Sequence, residues 1–194
     1  MKTATKKFLF QFLPVLALLA FLSLTALYHC FGPYHGRIVD AATGEPLAGA
    51  VILVRFETCT YQGGEIVNRF ADAVETETDG KGDFSIPSHR VFLFRPLHQW
   101  IPEAMTLVCK PEYGCFPKFR GSTVEGKTLS TLPENERVTI RLPRMETPEQ
   151  RKENLSYIYA PQVPEEKMPR LLQIKRNEAD QVKMEPLAEK SAGQ

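Results

Sequence analysis

Residues 36–54 read GRIVDAATGEPLAGAVILV, and residues 78–86 read TDGKGDFSI. In the first stretch, two runs of strand-forming residues flank a Thr-Gly-Glu-Pro turn at 43–46. In the second, Asp79 can accept backbone hydrogen bonds and Gly82 can adopt a positive φ, so the chain can reverse into an aromatic-bearing strand. Strands joined by tight turns predict a small antiparallel β-sheet protein.

Period-2 alternation of side chains continues as far as Pro143, which ends the last strand because proline cannot donate to a sheet ladder. The run 50–56 is apolar on both faces until Arg55, which predicts a central strand. At 74–78 the alternation predicts that Glu75 lies in water. Further alternating runs occur at 83–86, 105–110 and 137–142. Six or seven short strands separated by turn signals are typical of a β-sandwich.

Two longer loops are predicted, at about 58–72 and 87–102. The second mixes aromatic and basic side chains, and two interpretations of it stay open. In the first interpretation the loop forms an exposed surface for sugar, peptide or membrane contact. In the second its apolar side chains close the open end of the sandwich. The candidate contact residues in it are Phe92, Phe94, Arg95, His98 and Trp100.

The chain begins with three lysines within residues 1–7, followed by a nearly continuous apolar run at 8–27. About 20 helical residues span the hydrocarbon core of a bilayer. The lysines predict a single-pass anchor with the lysine-rich tip in the cytoplasm and the rest of the chain outside. The alternatives are cleavage as a signal peptide, which gives a secreted or periplasmic protein, and lipid modification of Cys30. All three interpretations predict export.

The charge composition argues against a nucleic-acid partner. The 24 basic and 23 acidic side chains leave a formal net charge of +1. Phosphate binding needs a clustered basic surface, which this balance does not predict.

Export permits disulfides among the four cysteines. Cys109 and Cys115 bracket a segment with Pro and Gly that turns back, and a bridge between them is expected to contribute about 2 kcal/mol. Cys30 and Cys59 are the remaining pair, although four cysteines allow three connectivities and the sequence does not choose among them. Because no Cys-x-x-Cys occurs and the histidines lack zinc-site spacing, disulfides or free buried thiols are favoured over a metal site. No cofactor is expected.

From Met145 onward the composition becomes charged and helical. Thr147 is the predicted N-cap of a helix that runs through Tyr159, and a second helix is predicted to begin near Pro164. The apolar stripe of the second helix either docks on a partner or folds back on the sheet. Residues after Lys183 are expected to be disordered.

The chain resembles the carboxypeptidase regulatory-like domain family in the pattern G-x-I-V-D-x-x-T-G-E-P-L-x-G-A-x-I at 36–52 and T-D-x-x-G-x-F-x-I at 78–86. The V-x-I-x-L strand at 138–142 also matches. Residues 110–114 read KPEYG where the family often has a Pro-Gly-Tyr turn, with glutamate in place of the glycine. The resemblance covers about residues 35–143.

The resemblance implies a prealbumin-like (transthyretin-like) fold. We therefore expect a mainly β chain with a small antiparallel Greek-key β-sandwich of about seven strands at 35–144. One hydrophobic helix is expected within 1–34, and one or two helices within 145–194. The family's modules act as folding, docking or ligand-contact units and are not themselves enzymes. The expected turn-forming residues are Asp40, Gly44, Pro46, Gly49, Asp79 and Gly82.

Together these features predict an exported, membrane-anchored and non-catalytic module that binds or scaffolds an envelope protein or glycan. The alternative is a carbohydrate-binding module that uses the loop 87–102 as a stacking platform. A metal-dependent enzyme is disfavoured, because the sequence shows no Tyr/His cluster on paired strands and no Gly-x-Ser-x-Gly elbow.

Overall fold

The computed structural model describes residues 14–15, 28–95, 98–125 and 131–192, with the side chains of the last helix described as far as Lys183. Within these ranges the chain is mainly β, with several antiparallel sheets and two C-terminal helices. The strands of the described ranges are β1 Tyr28–Phe31, β2 Tyr34–Asp40, β3 Val51–Gln62, β4 Glu65–Glu77, β5 Asp83–Ile86, β6 His89–Phe92, β7 Gln99–Trp100, β8 Met105–Cys109, β9 Thr123–Val124 and β10 Arg137–Leu142. The helices are α1 Pro148–Tyr157, a 3₁₀ helix Glu165–Lys167 and α2 Pro169–Ala192.

Strand β3 lies at the centre of the fold, because it pairs with β4 on one side and with β8 and β7 on the other. Ile52 and Val54 on one face and Val51 and Leu53 on the other are all buried. A strand that is apolar on both faces needs a covering layer on each side. The prediction of a central strand at 50–56 is confirmed.

A second large sheet has the strand order β5-β2-β10-β9. Strand β10 runs parallel to β2, with Ile140 beside Ile38, so this pair departs from the predicted antiparallel sandwich. Parallel neighbours need a long connection. The chain between β2 and β10 is that connection, and it contains the strands of the β3 sheet. The strands of the described ranges also exceed the expected seven.

The two large sheets share one buried cluster, the main core. Phe84 and Ile86 of β5 and Ile140 of β10 contribute to it from one sheet, and Ile52 and Phe56 of β3 from the other. The alternation predicted at 83–86 and 137–142 is therefore confirmed. Burial of these side chains is the main favourable contribution to folding that the sheets provide.

A small two-stranded sheet of β1 and β6 occupies part of the chain that was predicted to be a linker and a loop. Phe31 and Tyr34 are fully buried in the main core, and β1 is the first strand of the described residues, ahead of the boundary expected at 35. Glu134 fixes the chain between β1 and β2 by accepting hydrogen bonds from the Tyr34 hydroxyl and the Gly32 amide, both at 3.0 Å. Gly32 and Pro33 separate the two aromatic residues, which leaves too short a pattern to predict a strand.

The prediction of a loop at 58–72 is wrong, because β3 and β4 continue through it as a hairpin. Gly63 and Gly64 form its turn with φ of 60° and 93°, and two positive φ values are typical of a type I′ hairpin turn. Tyr61 pairs with Ile66 next to that turn. The outer half of the hairpin is exposed on both faces, and it therefore lacks the alternation by which strands are recognised.

The C-terminal helices fold back on the β3 sheet and form a second core on its outer face. Thr147 caps α1 as predicted, with its side chain accepting from the amide of Gln150. Helix α2 continues to Ala192, which differs from the disorder expected after Lys183. The second core contains Val51, Leu53, Leu107, Ile158, Leu171 and Ile174.

Glu75 is not in water as predicted. Its side chain is 5% exposed, and its carboxylate accepts hydrogen bonds from the amides of Arg170 and Leu171 at 3.0 and 2.9 Å. The first amides of a helix have no partner within the helix and favour an anion beside them. The outer face of β4 therefore holds the N-terminus of α2, a tertiary contact that strand alternation cannot predict.

The predicted membrane anchor at 8–27 lies outside the described residues, apart from positions 14–15. In the ranges that the structure does describe, no helix has both the length and the apolar character that crossing a bilayer requires.

We expect Gly82→Ala to destabilise the protein much more than Gly44→Ala. Both glycines have φ near +75°, which costs an alanine about 1–2 kcal/mol. A Cβ at Gly82 would lie 2.7 Å from the carbonyl oxygen of Ile38, whereas one at Gly44 would have no neighbour within 4 Å. Relieving that overlap adds about 1–3 kcal/mol. Urea denaturation measures the difference, and equal losses in the two variants would contradict it.

Candidate functional site

The small sheet divides the predicted contact segment into an inner and an outer face. Tyr28 pairs with Phe92 and His29 with Val91. Val91 is buried in the main core, whereas Tyr28 and Phe92 are exposed. Some side chains of the segment 87–102 therefore close the core, as one interpretation predicts, and others face outward.

The predicted contact residues differ in their exposure. Phe92 and Phe94 are 70% and 71% exposed. The Trp100 ring is half-buried, stacked on His29 with centroids 5.6 Å apart and in edge contact with Phe31 at 5.9 Å. The exposed aromatic surface of this segment therefore consists of the two phenylalanines.

Arg95 holds the segment in place. Nη1 of Arg95 donates to the Thr58 hydroxyl at 3.2 Å and to the carbonyl oxygen of Phe70 at 2.8 Å. The His98 amide donates to the carbonyl oxygen of Arg95 at 3.3 Å. The two bonds of the Arg95 side chain connect the segment to the β3–β4 hairpin, whereas the His98 bond lies within the segment.

The contacts of β1 show which end of the domain it enters. The ring of Phe31 stacks on Phe56 at 4.4 Å, and His29 stacks on Trp100, which pairs with Thr58. Moving from Phe31 back to His29 therefore follows β3 from Phe56 towards the hairpin turn. Tyr28 and the hairpin turn lie at the same end.

We name this end the aromatic end and define it by its exposed apolar side chains. They are Tyr28, Tyr61, Ile66, Phe92 and Phe94. Arg69 and Arg90 are exposed beside them, opposite Thr58 and Cys30 respectively. The sequence does not indicate the first three of the apolar residues, because Tyr28 directly follows the apolar run and the positions of Tyr61 and Ile66 are predicted to be a loop.

The predicted turn residues carry turn chemistry. Asp79 accepts the amides of Lys81 and Asp83 at 2.8 and 2.9 Å, and Pro46 forms a β-bridge with Val39. The positive φ values are 75° at Gly44, 69° at Gly49 and 74° at Gly82.

Asp40 does more than form its turn. Its Oδ1 accepts the amides of Ala42 and Thr43 at 2.7 and 3.0 Å, and its Oδ2 accepts the hydroxyl of Tyr113 at 3.1 Å. The hydrogen bond from the Thr43 amide, helped by those from Ala42 and Tyr113, holds the pKa of Asp40 below its usual range. The carboxylate thus links the first turn to the loop at 110–114.

Cys109 and Cys115 are joined by a disulfide, and both are fully buried. Asn154 of α1 holds the loop between them, because its Oδ1 accepts the Cys115 amide at 2.7 Å and its Nδ2 donates to the carbonyl oxygen of Tyr113 at 3.3 Å. Cys30 and Cys59 are free thiols.

One carboxylate–histidine pair lies outside the aromatic end. Asp72 contacts Nε2 of His89 at 2.9 Å and Nζ of Lys167 at 3.0 Å. Burial raises the pKa of Asp72, but the hydrogen bonds from His89 and Lys167 outweigh it and lower the pKa. The described ranges bring together no group of three His, Cys, Asp or Glu residues that could hold a metal ion.

A cavity of about 480 Å³, which the sequence analysis does not predict, lies over the outer face of β3 and β8. Two cross-strand pairs form its floor, Leu53 with Leu107 and Arg55 with Met105. The walls come from the end of α1 and the chain after it, and from the turn that follows the disulfide. They are formed by Tyr157, Tyr159, Ala160, Pro161, Pro117 and Lys118.

Arg55 fixes one wall of this cavity to its floor. Nη1 donates to the carbonyl oxygen of Pro161 at 2.9 Å, and Nη2 forms a buried ion pair with Glu57. The Nε of Arg55 has no hydrogen-bond partner among the described residues.

Comparison with known proteins does not identify the chain, since no family model, no curated protein and no solved structure matches it. The resemblance to the carboxypeptidase regulatory-like domain family therefore stays a prediction.

We expect Asp40→Asn to weaken the acid dependence of stability. The pKa of Asp40 is lower in the folded chain than in the unfolded chain, where it is about 3.9. Its charged form therefore stabilises the fold above about pH 4, and this contribution is lost as the pH falls through the folded pKa. Asparagine keeps an acceptor oxygen but does not titrate.

Urea midpoints between about pH 2 and pH 7 measure this effect. The urea midpoint of the variant still falls to some extent at low pH, because the Arg37 guanidinium also lowers the pKa of Asp83. Identical slopes for the two proteins would show that Asp40 does not contribute.

Proposed function

We propose that this protein is an exported, membrane-anchored and non-catalytic β-sandwich module that binds a partner in the cell envelope. The anchor is the apolar run at 8–27, and the described domain lies on the outer side of the membrane. The prealbumin-like Greek-key fold and the family resemblance are part of this proposal. Two large sheets around one main core support the sandwich.

One observation carries the membrane placement: the exposed apolar side chains of the aromatic end lie where the chain leaves the apolar run. Tyr28 follows Leu27, the last residue of that run, and Phe92 pairs directly with Tyr28. Aromatic side chains favour the membrane–water interface, where one part of the ring is in apolar surroundings and the other is wet. Arg69 and Arg90 add cations beside this surface, which suits anionic headgroups.

The aromatic end therefore rests in the headgroup region of the bilayer that the run 8–27 enters. This placement keeps five large apolar side chains out of water. It also leaves the helical layer of α1 and α2 available to a partner.

The full chain in lipid nanodiscs tests the placement, since Trp100 is the only tryptophan. Lipids brominated near the headgroup are expected to quench Trp100 emission, because its ring stacks on His29 beside Tyr28. The control variant Trp100→Phe/Tyr159→Trp moves the tryptophan to the cavity rim and should be quenched much less. The double variant Phe92→Ser/Phe94→Ser should reduce the quenching of Trp100. Equal quenching of the two tryptophan positions would contradict the placement.

Carbohydrate binding by the segment 87–102 is the alternative, favoured by the exposure of Phe92 and Phe94. In that case soluble oligosaccharides would change Trp100 emission, and Phe92→Ser/Phe94→Ser would abolish the change without altering quenching by lipid.

The partner is expected to contact the exposed side of α2. Deleting the helical layer is not a usable test, because Leu171 and Ile174 cover the second core and their loss would expose it. A photo-crosslinking amino acid at the exposed position 176 should instead capture one envelope protein in intact cells. The same amino acid at the exposed position 81, in the turn before β5, is the control. Capture from both positions, or from neither, would speak against a partner on α2.

A further inference from the structure

We propose that the cavity over β3 and β8 binds a small organic acid with an apolar body, such as an aryl or alkyl carboxylate. The inference is independent of the membrane placement, because it rests on the floor, walls and charges of the cavity itself.

The cavity has the size and the rigidity of a small-molecule site. Its volume of about 480 Å³ falls within the range of about 300–1,000 Å³ typical of such sites. The disulfide at Cys115 precedes the wall at Pro117, and Arg55 fixes the wall at Pro161. A preformed cavity loses little conformational freedom on binding.

The surface of the cavity is mainly apolar. Leu53 and Leu107 of the floor are buried side chains of the second core. Met105 and Tyr159 at the rim are 48% and 59% exposed, which leaves large apolar side chains in contact with water around a concave surface. A ligand with an apolar body would remove both rim side chains from water.

The charges around the cavity select an anion. Arg55 and Lys118 line it, and the described residues of the lining include no carboxylate. Nη1 and Nη2 of Arg55 are held by Pro161 and Glu57 and its Nε is buried, so Lys118 is the cation that the described lining offers to a ligand. Lys118 is exposed, so its ammonium group can reach a carboxylate at the mouth while the apolar body occupies the interior.

The probe is 4-phenylbutyrate, with the neutral 4-phenylbutanamide as its matched control. Calorimetric titration uses the full chain in nanodiscs, and empty nanodiscs correct for partition into lipid. We expect saturable binding of the acid, with the amide about three- to fivefold weaker, as for a partly exposed ion pair. Lys118→Gln should weaken binding of the acid by the same factor and leave binding of the amide unchanged. Lys81→Gln, an exposed lysine on a distant turn, should affect neither.

Two variants that fill the cavity test its location. Ala160→Phe places a larger side chain on the wall of the cavity, and we expect it to weaken the binding of both probes at least tenfold. Met105→Trp acts from the half-exposed rim and should do the same, which keeps the test valid if the first variant does not fold. The proposal is overturned if the acid shows no saturable binding at about 1 mM, if the acid and the amide bind equally, or if a folded filling variant binds the acid as the original protein does.

Discussion

The architecture depends on one constraint, which is that β3 carries apolar side chains on both faces. Ile52 and Val54 need one covering layer, and Val51 and Leu53 need another. The second large sheet covers the first face. No further sheet is at hand for the other face within the described chain, so the helical layer covers it. Burial at roughly 25 cal/mol per Å² of apolar surface makes that layer part of the fold and not an appendage.

Polar contacts determine where the helical layer sits on that apolar face. Glu75 fixes the start of α2, whereas Asn154 of α1 and Glu178 of α2 hold the disulfide loop, Glu178 by accepting the Glu112 amide at 3.1 Å. Buried apolar contact alone is non-directional, whereas each of these groups needs a defined partner in its buried setting. The layer is therefore fixed at the disulfide end of β3. Helix α1 ends at Tyr157, and the non-helical chain at 159–161 forms a wall of the cavity over Leu53 and Arg55.

Regular alternation made β5 and β10 predictable from sequence, since each has one buried and one wetter face. The central position of β3 was predictable for the opposite reason, because neither face of its first half is exposed to solvent. The remaining features depend on tertiary contacts. Glu75 looks like a solvent-facing strand residue until a helix N-terminus is placed over it. The cavity cannot be predicted at all, because it results from where α1 stops relative to a sheet formed by distant residues.

The composition of the segment 87–102 does not indicate which of its side chains are buried and which are exposed. Within β6, Val91 faces the core and Phe92 faces outward, so neighbouring residues of similar hydrophobicity have opposite roles. A shift of one residue in register would exchange them. The register is set by β1, whose Phe31 is buried against Phe56. The residue that fixes the exposed aromatic surface therefore lies in the short run between the apolar segment and β2, where the sequence suggested only a linker.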